Sequence, residues 1–243
     1  MFEPPSLIKR MANELSNHAT NGHNLLENKS TGYKEDRTGS PGRTSDSPRL
    51  SRKAITDLGD TEKTGVPLNT PWTLWLDRSV PNLTVTEYEA NLRKIYTVST
   101  VESFWGVFNH VPAPSNLMAR YSYHWMRNNI RPVWEDSVNA NGGMWKLRCH
   151  KLCTDSVWNE LLMACIGEQF AQYVNPGDDI IGLSVSVRKN DDLVQLWNRE
   201  SINAEECKVL KRVEELVPNV TFETSFYKPH QKHRAFEGKR GHP

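Results

Sequence analysis

The sequence lacks several things at once. No apolar run approaches the roughly 20 residues that a membrane-spanning helix needs. The opening stretch MFEPPSLIKRMANELSNH has none of the apolar core of a signal peptide. Charge of either sign is missing in bulk, since 30 Lys and Arg against 29 Asp and Glu leave a formal net charge of +1. No global basic field therefore advertises a polyanionic partner, and any contact with nucleic acid must be local. Cysteine is scarce and unpatterned: Cys149, Cys153, Cys165 and Cys207 have no disulfide-framework spacing, which suits reduced thiols in a cytoplasmic or nuclear protein. Cys149-His150-x-x-Cys153 is half of a zinc site, but no second ligand pair follows, so free thiols near a strand end are expected, with no metal and no cofactor. A nucleophile elbow, a P-loop, a Gly-rich dinucleotide turn and an HExxH helix are all absent. Catalysis has little to stand on.

Aromatics are missing from one part of the chain only. All eight tryptophans lie between Trp72 and Trp197, while residues 1–65 hold Phe2 and Tyr33 as their only aromatics among Ser, Thr, Asn, Gly, Lys and Glu. Such a segment buries too little apolar surface to offset its ordering entropy, which argues for a disordered tail over 1–65. Residues 66–230 then make one domain, large enough for a core of its own. Residues 231–243 read as a basic C-terminal tail.

Within the domain, Trp72, Leu74 and Leu76 alternate with Thr73 and Trp75 as a strand does, and 91–98 alternates again around a bulge. Val101, Phe104, Trp105 and Phe108 fall at i, i+3, i+4 and i+7, predicting a helix capped by Ser99 or Thr100. Strands are expected at 121–126, 144–149, 180–188, 193–197 and 220–227, and further helices at 155–170 and 204–216. This is an α+β pattern, an antiparallel sheet with helices on one face.

The stretch Arg131-Pro-Val-Trp-Glu-Asp-Ser-Val-Asn-Ala-Asn-Gly-Gly-Met-Trp145 reads as a loop between strands, with a tryptophan set against two carboxylates. In extended chain Glu135 and Asp136 point to opposite faces, so they do not flank one bond as a catalytic pair must. An indole beside one carboxylate suits a flat cation that donates hydrogen bonds. The π-face attracts the cation by about 0.5–2 kcal/mol, and the carboxylate accepts two parallel N–H bonds. A methylated lysine or arginine answers this description, and so does a positively charged purine such as 7-methylguanine. A plainer reading makes Trp134 a core lid and the acid pair a solvated loop face. The residues alone leave the three open.

Several motifs occur together and in order. They are Trp72-x-x-Trp75, Glu87-Tyr-Glu-Ala-Asn-Leu-Arg93, Val101-Glu-Ser-Phe-Trp105 followed by Asn109-His110, and Pro132-Val-Trp-Glu-Asp136. Gly142-Gly-Met-Trp145, Trp158-Asn-Glu-Leu-Leu162 leading to Ile166-Gly-Glu168, and Val185-Ser-Val-Arg188 ending at Trp197 complete the series. The set resembles the cap-binding translation initiation factor 4E family over 66–230. Trp75-Leu-Asp-Arg-Ser79, Lys94-Ile-Tyr-Thr-Val98, Ser184-Val-Ser-Val-Arg188, Phe226-Tyr-Lys-Pro-His230 and Ala235-Phe-Glu-Gly238 resemble its type 3 branch.

The resemblance implies a curved eight-stranded antiparallel sheet with three helices on its convex face and the mRNA 5′ cap in the concave cleft. It gives base stacking to Trp134, reading of the guanine edge to Glu135, and the second stacking position to Tyr88 where the family carries tryptophan. Tyr88 either stacks, less strongly than an indole, or packs its own loop. Arg188 matches the family's phosphate arginine, but Leu193 and Met144 stand where basic residues are expected, leaving Lys189, Lys228 and His230 to compensate. On the convex face, Pro67, Val101, Trp105, Glu160, Met163 and Gly167 match the site for 4G-type scaffolds and 4E-binding repressors carrying Tyr-x-x-x-x-Leu-Φ. Asn159 replaces an apolar residue nearby. The implied function is a monomeric, non-enzymatic, cytoplasmic or nuclear cap-binding module that modulates translation initiation. A partner-binding repressor or decoy with weak cap binding is the alternative.

Overall fold

The computed structural model describes residues 48–81 and 84–232. Seven strands form one curved, unclosed sheet: β1 (Pro67–Arg78), β2 (Arg93–Thr100), β3 (Tyr121–Arg127), β4 (Gly143–His150), β5 (Ile180–Ser186), β6 (Asp191–Asn198) and β7 (Thr224–Pro229). Their order is β2-β1-β3-β5-β6-β4-β7, and every neighbouring pair is antiparallel. The described residues thus supply seven strands where the resemblance implies eight. β7 begins at Thr224, four residues later than its pattern suggests, and runs to Pro229. It lies at the sheet edge, where a proline leaves no ladder bond unmade.

Register lines up three rungs across one face of the sheet. Met126, Gly182, Trp197, Met144 and Lys228 share the first, His124, Ser184, Gln195, Lys146 and Phe226 the second, and Ser122, Ser186, Leu193, Arg148 and Thr224 the third. Trp75 and Asp77 extend the second and third rungs onto β1. The opposite face carries the core. Leu74, Trp125, Leu183, Leu196, Trp145 and Tyr227 follow one another across it, all buried.

Among the described residues five α-helices accompany the sheet: α1 (Arg52–Thr64), α2 (Val85–Asn91), α3 (Val101–His110), α4 (Thr154–Ile166) and α5 (Val209–Leu216). α3 starts at Thr100 through a capping box with Ser103, and its Phe104 packs on Trp125 at 5.5 Å between ring centroids. α4 is buried on most sides and ends at Gly167, after which Glu168 turns left-handed at φ 59°. That turn aims the Glu168 carboxylate at Arg127, which it meets through two hydrogen bonds of 2.7 and 2.5 Å. The Arg127 guanidinium also lies on Trp72, 4.8 Å from its ring centroid. α4 is thereby clamped to the end of β3. None of the described helices is long and apolar enough to cross a membrane.

α1 corrects the expectation of a disordered tail over its own length. Composition misses it because only Ala54 and Leu58 are buried. Tertiary contacts hold it instead. Leu58 lies against Gly106 of α3, where a Cβ would collide with it. Backbone Ser99 N donates to both oxygens of Glu62 at 3.0 and 3.2 Å, and Thr100 Oγ1 donates to the Thr61 carbonyl at 3.2 Å. Residues 1–47 and 233–243, the remainder of the two expected tails, lie outside the described residues.

Candidate functional site

The rung-bearing face, opposite the core face on which α3 packs, opens into a cleft of about 430 Å³. Its floor is apolar at one end, where Met144 and Trp197 line it; both belong to a buried cluster with Trp75, Met126 and Ile181, against which Leu92 and Ile130 pack. Tyr88, Trp134 and Glu135 all line this cleft, so three residues separated by up to 47 positions meet in one place. Trp134 is half-buried and Glu135 exposed. This is the mix that a site needs when a flat ligand enters from solvent.

A short helix and a loop place these side chains. Tyr88 sits on α2, whose Thr84 cap accepts from Glu87 N while the Glu87 carboxylate accepts from Thr84 N. The Trp134 loop is folded by Asn139, fully buried, whose amide donates to the carbonyls of Arg131 (2.8 Å) and Val133 (2.7 Å). Asp136 has work of its own, since it accepts from Val138 N at 3.1 Å and holds Arg131 at 3.5 Å. Arg131 in turn reaches Glu89, next to Tyr88, at 3.1 Å. The two walls of the cleft are therefore tied together by an ion pair.

A polar chain runs beneath Tyr88. Trp197 Nε1 donates to Ser184 Oγ (2.8 Å), Ser184 Oγ meets His124 Nδ1 (2.7 Å), and His124 Nε2 lies 3.6 Å from Asp77. The Tyr88 and Ser122 hydroxyls complete the surroundings of that carboxylate. Burial pushes the Asp77 carboxyl up, but hydrogen bonding and attraction from His124, with bonds from Tyr88 and Ser122, outweigh it and hold Asp77 below the usual carboxylate value. Tyr88 moves the other way: burial first, then the charge of Asp77 and its hydrogen bond, raise the phenol well above its ordinary value. The order Asp77, His124, Ser184 resembles a hydrolytic triad, yet Ser184 is fully buried and its oxygen is engaged by Trp197. No substrate reaches it.

The opposite end of the cleft is basic. Lys146 and Lys228 both line it, on neighbouring strands. Burial, Lys228 and Arg188 together lower the Lys146 ammonium below the usual lysine value. Arg188 and Lys189 are exposed on the β5–β6 turn and do not line the cleft itself. His230 lines the cleft but is buried, edge-on to Trp197 at 5.1 Å, with Nδ1 2.8 Å from the Asn139 carbonyl. Gly142 and Gly143 have a steric reason to be glycine. A Cβ at Gly142 would run into the Asn198 carbonyl, and one at Gly143 into the Tyr227 hydroxyl. Lys146 escapes the motif-based reading, although its parity with Met144 on β4 aims both side chains into the cleft.

Residues 67–242 match the family model described as "Eukaryotic initiation factor 4E". The chain belongs to the eukaryotic initiation factor 4E family. Among curated 4E relatives, initiation factor 4E-1 of Solanum habrochaites is 41% identical over 137 residues, covering 56% of this chain and 58% of the relative. The 4E-1 protein of Zea mays is 37% identical over 152 residues, 62% of this chain and 68% of that one. The match to the Solanum relative thus spans less than two thirds of that protein's length. Among solved 4E structures, a complex of C. elegans eIF4E-3 with the 4E-binding protein Mextli and a cap analog is 32% identical with a TM-score of 0.62, covering 71% of this chain and 96% of that chain. Ascaris suum eIF4E-3 with the m7G cap is 31% identical with a TM-score of 0.59, covering 70% and 94%.

The residues expected on the helical face sit on α3 (Val101, Trp105), on α4 and its cap (Glu160, Met163, Gly167), and at the start of β1, where Pro67 pairs with Thr100 beside α3. Val101, Trp105 and Met163 are buried, Gly167 is half-buried, and Pro67 and Glu160 are exposed. Trp105 packs edge-on to Phe104 and Phe108 at 5.4 and 5.5 Å, and its Nε1 has no acceptor among the described residues.

Proposed function

We propose that this chain binds the 7-methylguanosine cap of mRNA in the cleft lined by Trp134, Glu135 and Tyr88. It docks translation factors or repressors on the face carrying Trp105, and so modulates translation initiation. The observation that carries this reading is the meeting of an indole, a phenol and a carboxylate around an apolar floor whose far end is basic. A cap offers the matching sequence of chemistries. Its methylated base is cationic and electron-poor, which favours stacking on an electron-rich ring at about 1–3 kcal/mol per base. Its N1–H and N2–H₂ edge presents two donors to one carboxylate, and its phosphates meet the basic end. The solved neighbours bound to a cap analog, to the m7G cap and to Mextli support both halves of the proposal.

Within the family we assign the chain to type 3, on the WLDRS, KIYTV, SVSVR and FYKPH stretches and on neighbours that are themselves eIF4E-3 proteins. It works as a monomeric binding module with no reaction of its own. Its unbridged cysteines suit the cytoplasm or the nucleus. Retention on 7-methyl-GTP beads, competed by free 7-methyl-GTP and not by GTP, is the expected behaviour. Trp134→Ala is expected to abolish retention, and retention equal to wild type would contradict the assignment. For the helical face, a helical Tyr-x-x-x-x-Leu-Φ peptide is expected to bind the wild type and fail with Trp105→Ala.

A further inference from the structure

The cleft does not end the basic surface. Phe226 lies on the edge strand β7, 48% exposed, on the same face as Lys228 and directly opposite Lys146 in the register. It makes no ring contact with another aromatic among the described residues and does not line the cleft. It stands just outside, past the two lysines that do. A single exposed phenylalanine is ordinary. One flanked on its own face by cations that lack carboxylate partners is not.

Neither Lys146 nor Lys228 has an ion pair among the described residues, and Lys146 is repelled by both Lys228 and Arg188. Arg188 is itself lowered by burial and then by Arg148, with Asp192 only partly compensating. Like charges gathered without a counter-ion are stabilised by an anion that bridges them. An aromatic face interleaved with such cations is the arrangement that holds single-stranded nucleic acid, with phosphates on the cations and a base on the ring.

We propose that Lys146, Lys228 and Phe226 form a track for the RNA that follows the cap. In this arrangement the two lysines take the bridging phosphates as they leave the cleft, and Phe226 stacks the first transcribed base. The inference rests on the cap-binding reading, because the cap fixes where the RNA begins. It accounts for the loss of cations at Met144 and Leu193: the phosphate charge is met one rung further along β4 and on the edge strand. A peptide ligand fits this surface less well, since on this face β7 presents one ring, Phe226, followed by one cation, Lys228.

The test compares GTP, 7-methyl-GTP and a 7-methylguanosine-capped pentanucleotide, each titrated against the full chain. The capped RNA is expected to bind at least about fivefold more tightly than 7-methyl-GTP, the low end for one stacked base. Phe226→Ala is expected to erase that increment while leaving 7-methyl-GTP unchanged, and Phe226→Trp to retain it. An abasic first nucleotide is expected to mimic Phe226→Ala on the wild type. Lys146→Met is expected to flatten the salt dependence for the capped RNA by about one unit of log–log slope. An increment that survives Phe226→Ala, or equal affinity for 7-methyl-GTP and the capped RNA, overturns the track alone. A wild type that binds 7-methyl-GTP no better than GTP overturns the cap reading and the track with it.

Discussion

At the scale of single residues, Tyr88 is the informative position. The family's tryptophan at this place needs no carboxylate, whereas a phenol brings a hydroxyl that must be satisfied when half-buried. Asp77 is the carboxylate beside it, with His124 Nε2 3.6 Å from Asp77 and Ser184 and Trp197 bonded in series behind the imidazole. Asp77→Asn and Tyr88→Phe are therefore expected to weaken 7-methyl-GTP binding by similar small factors and to be non-additive when combined, as residues in one network are. Full additivity in a double-mutant cycle would show that the network does not orient the ring. Stability carries a second signature. The folded carboxyl of Asp77 lies below its unfolded value, so its contribution is present above about pH 4 and is lost as pH falls through the folded value. Asp77→Asn is expected to flatten the acid limb of Tm against pH. Lys146 has the opposite sign. Its folded value is lowered, so the unfolded chain holds the proton more tightly, and the charged group costs stability at neutral pH. Lys146→Met is expected to raise Tm, by up to about 2 °C, with the gain shrinking as pH climbs into the lysine range.

Elements carry a different lesson. α2 is seven residues long and depends on its capping box for its shape, and Tyr88 hangs from it. Thr84→Ala, worth about 1 kcal/mol at an N-cap, is expected to loosen α2 and lower cap affinity with little change in global unfolding. α1 depends on what it touches. Leu58→Asp is expected to detach it, seen as fast amide exchange over 54–64 with the sheet still protected; continued protection of α1 would contradict the packing described. These two helices were also the least legible in the sequence. α1 has too few apolar residues for a periodic signal, and Val85–Asn91 is too short for one. By contrast β1, β3, α3 and α4 could be read in advance because each shows a long stretch of its own period, and the Thr100 cap sits where the pattern starts.

For the molecule as a whole, the ordered motifs made the fold legible and pointed to Trp134 and Glu135, which line one cleft, whereas the remainder depended on strand register. His124 and Lys146 belong to no motif, and Asp77 and Phe226 lie in stretches that give them no role; pairing across six strands is what brings the four to one face. Parity within β4 alone already pairs Lys146 with Met144, so the lysine was readable once the strand was accepted. The exposed positions of Arg188 and Lys189, and the buried one of His230, follow from a turn length and a C-terminal packing contact that spacing does not encode. The central claim, that this cleft distinguishes a methylated guanine, is tested most directly by calorimetric titration of 7-methyl-GTP and GTP against the wild type and Glu135→Gln. The account predicts a clear preference for the methylated nucleotide and a loss of about tenfold or more on replacing the carboxylate. Equal affinities for the two nucleotides, or an unaffected Glu135→Gln, would contradict it.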